Sequence, residues 1–305
     1  MAKNKTSETM PAKKRRSGLR ISATMEAYTF MMPFIIGIAV FFIFPLTLLA
    51  RMSFSKLENV VGLQMKWWGL NNFKEAFIID TNFMPNLLQS VSDTLLKVPL
   101  IIIFALIIAI MVNKNIKFKG MFRTIFFLPF LLGNGYVMEQ LMQQDVSGRA
   151  IQSAQQFFMP PEVLQYLGTT ATDIIGTFFS IIIVILWSSG VQILLFLSGL
   201  QGISQSYYEA ARVESANEWD CFWHITLPMM SPIMLLCIVY SLVDMFTGIS
   251  NPVLTFTRGI MRNLRYDYAS AVGLIYSLFI LLVVFIVMLV MRKAMFTTET
   301  RGGKK

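Results

Sequence analysis

Runs of about twenty apolar residues recur along this chain, and each is long enough to cross a hydrocarbon core roughly 30 Å thick. A soluble protein with several fully buried helices is the competing reading, but it would need a charged surface. Of the 305 residues, 14% are charged and 55% hydrophobic, whereas soluble domains carry about 25% charged residues. The chain therefore reads as an all-α, polytopic membrane protein with about six transmembrane helices.

The spans are expected at about 27–50, 87–112, 121–142, 173–200, 228–248 and 267–291. The first apolar run far exceeds the hydrophobic core of a cleaved signal peptide, so it reads as an uncleaved span. Residues 1–24 are polar, with Lys13, Lys14, Arg15 and Arg16 in a cluster, and read as a disordered cytoplasmic tail. Residues 294–305 read as a second cytoplasmic tail, which leaves 25–293 as the membrane domain. The net charge is +9, yet the basic residues sit mostly at segment ends, as in Lys114, Lys117, Lys119 and Arg123. That is the positive-inside pattern and not a nucleic-acid face. Arg258, Arg262 and Arg265 run against it, on the loop 249–266 that alternation places outside. Arg51 to Asn86 reads as a mixed outer loop with Trp67 and Trp68 as interfacial anchors. Pro33, Pro45 and Pro99 are expected to bend their helices. The two cysteines, Cys221 and Cys237, suggest no disulfide framework, and with one histidine the chain has too few soft ligands for zinc.

Between the fourth and fifth apolar runs, residues 201–227 form a polar loop of helix–turn–helix composition. Ser204 to Val213 is helical in composition, with Ser204 or Ser206 placed to cap its start. Glu214-Ser215 suits a turn. Glu218 to Trp223 reads as a second short helix, with Trp219, Phe222 and Trp223 at i, i+3 and i+4 on one apolar face. The small-residue surface permits close approach of another backbone, and the aromatic surface is expected to fix the loop to the membrane domain. Helices that lie in lipid headgroups are rich in Lys and Arg. Here Arg212 stands alone against Glu209, Glu214, Glu218 and Asp220, and an anionic leaflet repels that balance. A protein partner is favoured.

Glu209-Ala210-Ala211 and Ile225-Thr226-Leu227-Pro228 stand at the spacing of the EAA loop of ABC importer permeases. Trp219 and Phe222 sit where carbohydrate-type members carry aromatics. Ser215 occupies the family's glycine position, and Glu214 its aspartate position. Gly120 to Phe130, Gly69 to Phe77 and Tyr266 to Ile280 resemble further family segments, while Leu254 to Arg258 replaces a common Gly-Gly-Gly-Pro run. The chain is similar, over nearly everything after its N-terminal tail, to type I permeases of the maltose and glycerol-phosphate kind. The resemblance implies a multi-pass subunit of the bacterial inner membrane, with both termini cytoplasmic. It implies a second permease, more often a different chain, two cytoplasmic ABC ATPase subunits and an extracytoplasmic solute-binding protein. The cargo implied is a sugar, oligosaccharide or polyol. Coupling to the ATPase falls to Glu209, Ala210, Ala211, Ser215, Ala216, Trp219, Phe222, Leu227 and Pro228. No G-x-x-x-x-G-K-[ST] run is present, so ATP and Mg are expected on the ATPase, with no cofactor or enzymatic activity on this chain.

Polar groups inside a bilayer are costly and face a cavity or a partner. Substrate-path candidates are Asp244 with Tyr240 and Thr247 on the fifth span, and Trp187, Ser188 and Gln192 on the fourth. Asn134, Tyr136 and Gln140 lie on the third beside the Gly133 and Gly135 break, the kind of interruption that marks transport sites. Asp244 can equally pair with a basic group of the second permease, and Tyr136 and Trp187 can be packing aromatics. Asp93 and Lys97, four apart, read as a local ion pair, and His224 as a solvated loop residue. A self-contained secondary transporter would need inverted repeats and ion-coupling carboxylates, and would leave the EAA pattern unexplained. A membrane enzyme would need clustered nucleophiles, acids or metal ligands, which are missing.

Overall fold

The computed structural model describes residues 19–302 except 60, 61, 63, 114–119, 122, 123, 125–173, 175, 179, 180 and 183. Most of the expected third span, the lysines of the loop before it and the path residues Asn134, Tyr136 and Gln140 lie outside the described residues.

α1 (Leu19–Ile38) and α2 (Phe44–Ser53) form one apolar run interrupted by a π turn, Ala39–Ile43. Pro45 explains the interruption. It has no N–H to donate, and its ring crowds the carbonyl four residues back, which the wider turn relieves. The helix starts at Leu19, inside the stretch expected as a tail, because extending an already nucleated helix is cheap.

The expected outer loop is ordered. β1 (Ser55–Asn59) pairs antiparallel with β2 (Gln64–Trp67), Ser55 opposite Trp67 and Leu57 opposite Met65. α3 (Asn71–Lys74) follows and runs into a second π turn, Glu75–Ile79. Fully buried Asn72 donates through Nδ2 to the carbonyls of Ser53 and Ser55, both at 2.9 Å, and so ties α3 to the hairpin. Trp67 stacks on Phe54, and the Lys56 ammonium lies 5.1 Å from the Trp68 ring centre.

α4 (Phe83–Asn113) contains Pro99 without a break in the helix. Then come α5 (Gly190–Gly202), α6 (Gln205–Val213), α7 (Glu218–Cys221), a third π turn at Phe222–Thr226, and α8 (Leu227–Met229). α9 (Ser231–Thr247), α10 (Pro252–Arg262) and α11 (Tyr266–Gly302) complete the chain. Among the described residues, Phe30–Ser53, Phe83–Asn113, Ser231–Arg262 and Tyr266–Arg292 are long and apolar enough to cross a membrane, and α5 is a shorter apolar helix. Helices suit that setting because they satisfy their own backbone polar groups.

The core forms where α4 meets α5, α9 and α10, and where α11 meets α9 and α10. On α4 the buried positions Val98, Ile102, Ala105, Ala109 and Val112 fall at steps of three and four, one stripe of a helix. The alanines let the neighbouring backbone approach closely. α2 packs on α11, whereas the exposed Phe30, Phe34 and Phe41 on the first apolar run face away from the core.

The loop expected at 249–266 is mostly helix. Asn251 starts α10, its Oδ1 accepting from the N–H groups of Val253 and Leu254. Its Nδ2 donates to Ser90 Oγ at 2.7 Å. Ser90 Oγ lies 3.0 Å from Tyr276 Oη, which donates to the Phe246 carbonyl at 2.9 Å. With Tyr276 donating onward, Ser90 must donate to Tyr276, so the proton directions along the chain are fixed. This buried relay joins α4, the α9–α10 break and α11. Two of the three arginines that opposed the topology, Arg265 and Arg258, also find partners. Arg265 pairs with Glu75 at 2.8 Å, and Arg258 Nη1 donates to the Ile249 carbonyl at 3.0 Å. Tyr268 Oη donates to Asp80 at 2.7 Å, and Asp267 accepts from the Leu57 N–H. The hairpin segment is thus fastened to the start of α11.

Candidate functional site

The polar loop is a helical hairpin with a defined corner. Ser204 caps α6 by accepting from the Ser206 N–H. At the other end the Ser215 N–H donates to the Arg212 carbonyl and the Ala216 N–H to the Ala211 carbonyl, each at 3.0 Å. These two bonds make the closing motif that normally has glycine at its left-handed position. Ser215 holds that conformation, with φ 65°, so the turn survives without the family's glycine. A side chain there strains the backbone by roughly 1 kcal/mol. Ser215→Gly is expected to stabilise the loop by about 1 kcal/mol, read as slower amide hydrogen exchange in residues 205–217.

Asn217 then opens α7 with a reciprocal cap. Its Oδ1 accepts from the Asp220 N–H at 2.8 Å, and Asp220 Oδ2 accepts from the Asn217 N–H at 3.2 Å. The second helix does not stop at Trp223. It runs through the π turn and α8 to within one residue of α9. Pro228 again explains the π turn, since its ring would crowd the His224 carbonyl in a regular helix.

That wider turn changes which residues share a face. Cys221 and Thr226, five apart, are both buried, and Thr226 Oγ1 donates to the Cys221 carbonyl at 3.3 Å. Tyr208 Oη donates to Thr226 Oγ1 at 2.9 Å and so fastens α6 to the second arm. The aromatic trio behaves differently from expectation. Trp219 is 67% exposed and Trp223 47%, and with Phe222 they form a cluster whose ring centres lie 5.3–6.4 Å apart. They pack on one another, and Tyr208, Cys221 and Thr226 hold the loop together instead. The α-helical period used to read the sequence does not apply across a π turn.

On the other side, α6 and the second arm enclose a cleft of about 390 Å³. Ala210, Ala211 and Ala216 line it, with Glu214, Asp220 and His224. Arg212 pairs with Glu218 at 3.0 Å, which uses the loop's one arginine. Glu209 and Glu214 are exposed, and among the described residues their carboxylates have no partner. Leu227 and Pro228 are half-buried where the hairpin joins α9.

The path candidates do not converge on one cavity among the described residues. Asp244 and Tyr240 are half-buried on α9, and Asp244 has no hydrogen-bond or ion-pair partner among the described residues. Thr247 is exposed but donates to its own helix, to the Val243 carbonyl at 2.7 Å. Trp187 and Ser188 are half-buried. Gln192 is fully buried, its Nε2 donating to Ser241 Oγ at 2.7 Å. It therefore joins α5 to α9 and does not line open space, a placement the polar-residue signal could not distinguish. Asp93 and Lys97 form the expected ion pair at 3.1 Å.

Comparison with known proteins places this architecture. Residues 82–295 match the family model described as "Binding-protein-dependent transport system inner membrane component". The "Probable ABC transporter permease protein YesP" of Bacillus subtilis (strain 168) is 33% identical, over 73% of this chain and 70% of that protein. The "Arabinooligosaccharides transport system permease protein AraP" of the same organism is 26% identical, over 80% of this chain and 77% of that protein. A chain from the crystal structure of a bacterial ABC transporter that imports the acidic polysaccharide alginate superposes with TM-score 0.64 at 20% identity. It covers 90% of this chain and 98% of that one, a likeness of fold. With the match spanning most of its length, this multi-pass chain belongs to the family of binding-protein-dependent transport system inner membrane components, the permeases of ABC importers.

Proposed function

We infer that this chain is one of two permease subunits of an ATP-driven importer for a sugar, oligosaccharide or polyol in a bacterial plasma membrane. The observation that carries this reading is the polar hairpin. It offers two exposed carboxylates without a partner among the described residues, Glu209 and Glu214, beside an alanine-lined cleft. It lies on a chain with no phosphate-binding loop of its own. One of two cytoplasmic ATPase subunits docks there, and the pair binds ATP and Mg²⁺ and drives alternating access through Glu209, Ala210, Ala211, Ser215 and Ala216. A solute-binding protein delivers cargo on the opposite side, and the second permease is a different chain. The transport of arabinooligosaccharides by one relative supports the carbohydrate class.

Asp244, Tyr240, Trp187 and Ser188 are assigned to the solute path, and Asn134, Tyr136 and Gln140 are assigned to it from residue type alone. Hydroxyls, amides and an aromatic suit an uncharged polyol by hydrogen bonding and stacking. Asp244→Asn is expected to change solute-stimulated ATP hydrolysis while leaving the assembled complex intact. Loss of assembly would instead place Asp244 in the contact with the second permease.

The decisive experiment is co-purification from the native membrane in mild detergent. A second permease and an ATPase should come down with this chain. A chain that comes down alone and moves solute in liposomes without ATP would end the importer reading.

A further inference from the structure

On the side that the alternation of spans places outside, the acidic side chains of the described residues 55–80 and 249–268 are all engaged within the protein. Glu58 pairs with Lys66 and Glu75 with Arg265, Asp80 accepts from Tyr268, and buried Asp267 accepts from the Leu57 N–H. The basic ones are not. Arg262 and Lys74 are exposed with no hydrogen-bond or ion-pair partner among the described residues, and Arg258 reaches only a backbone carbonyl, that of Ile249. Thr255, Arg258, Gly259 and Arg262 fall at i, i+3, i+4 and i+7 and are all exposed, so they form one face of α10. The opposite face, with Val253, Thr257 and Ile260, is buried against α4 and α11. A helix that lies on lipid keeps its apolar face for the acyl chains. This one has spent that face in the core, and its free face is basic.

α10 ends in a strained corner. The Leu264 N–H donates to the Met261 carbonyl at 3.0 Å and the Arg265 N–H to the Ile260 carbonyl at 3.4 Å. That closing motif normally has glycine at its left-handed position, yet Leu264 holds it at φ 58° and is 59% exposed. In the free protein its backbone is strained while its side chain stays largely in solvent, and strain of this kind collects at sites of function. Met261 beside it is 41% exposed. The corner is also held rigid, by the Arg265–Glu75 pair, the Tyr268–Asp80 bond and the Asn251 cap. Two apolar side chains thus stand fixed beside unspent guanidinium groups, and Met and Arg are both enriched at protein interfaces.

Resting on the importer reading above, we propose that the α10–α11 corner is a docking knob for the solute-binding protein. Leu264 and Met261 seat in an apolar socket on that protein, and carboxylates around the socket meet Arg258 and Arg262. Unspent basic charge steers an acidic partner in from solution, and the rigid apolar pair holds it once seated. Steering and holding fall on different residues, so they separate in the kinetics.

The test uses the complete importer in nanodiscs and the solute-binding protein that co-purifies with it, and reads association and dissociation rates in low and high salt. Arg262→Glu is expected to slow association at least about tenfold in low salt, and the deficit should shrink as salt screens the charges. Leu264→Gly relieves the backbone and so spares folding. It should speed dissociation at least about threefold with association nearly unchanged. If Arg262→Glu does not insert, Gly259→Glu reverses charge on the same face. A Cβ at Gly259 meets no atom within 4 Å, and Glu is the better helix former. Association as fast as in the unmodified complex overturns the proposal, as does a deficit that salt leaves in place. Unchanged dissociation in Leu264→Gly overturns it equally. Loss of the second permease from these variants also overturns it, because the face would then belong to the permease pair. A deficit seen only in nanodiscs of anionic lipid overturns it in favour of a lipid contact. Failure of any solute-binding protein to bind the unmodified complex would be the distinct sign that the importer reading itself has failed, and the knob with it.

Discussion

Glu209→Lys is expected to cut ATP-coupled uptake by at least about tenfold while the protein still inserts and folds, because juxtaposed like charges at an interface cost more than the 1.4 kcal/mol that a factor of ten requires. Folding should be spared because Glu209 is exposed and its carboxylate has no hydrogen-bond or ion-pair partner among the described residues. The helix should tolerate the exchange, since Glu and Lys have similar helix propensity. The loop has no cation to spare for a partner, as Arg212 is held by Glu218. A surface that meets Glu209 and Glu214 is therefore expected to be basic, and lysine would oppose it. The check is uptake in reconstituted liposomes beside the amount of ATPase that co-purifies. Normal uptake with normal association would remove the hairpin from coupling.

The second large effect is expected at the other end of the membrane domain. Asn251→Ala should destabilise the protein by about 2 kcal/mol, from loss of a helix cap and of an interhelical bond within the membrane domain. Three connections fail at once: the cap on α10, the bond to Ser90, and the order imposed on Tyr276 and the Phe246 carbonyl. Tyr276→Phe keeps the cap and the ring packing against Phe246, so it should cost about 1 kcal/mol. Both cysteines, Cys221 and Cys237, are buried, so a thiol-reactive fluorophore reports thermal unfolding in detergent. Equal melting of Asn251→Ala and the unmodified chain would show that the relay does not hold the α9–α10 break.

Legibility in the sequence differed from element to element. The apolar runs behind α4, α9 and α11 were plain because membrane thickness sets their length. The hairpin of α6 and α7 was legible from capping residues and helical spacing, and Ser215 kept its left-handed turn where glycine was expected. The β hairpin was not legible, because its short strands lack regular alternation and it is fastened by a distant partner, Asp267 to Leu57. The outward placement of Trp219 and Trp223 was not legible either. It depends on a π turn that Pro228 induces from beyond the aromatic face.

By itself the sequence determined that the chain crosses a membrane, and which loop carries unspent acidic charge. Those properties are local, since they follow from run length, residue type and spacing along one helix. Only the tertiary structure decided which polar residues are spent on holding the protein together. Gln192 and Asp244 look alike as polar residues in apolar spans, yet one is buried against Ser241 and the other has no described partner. Gly199 looks like an ordinary glycine until Met230 and Ile233 fill the space its side chain would occupy. The distinction lies in pairings across forty-nine residues for Gln192 and Ser241, and over such a separation residue type does not reveal the partner.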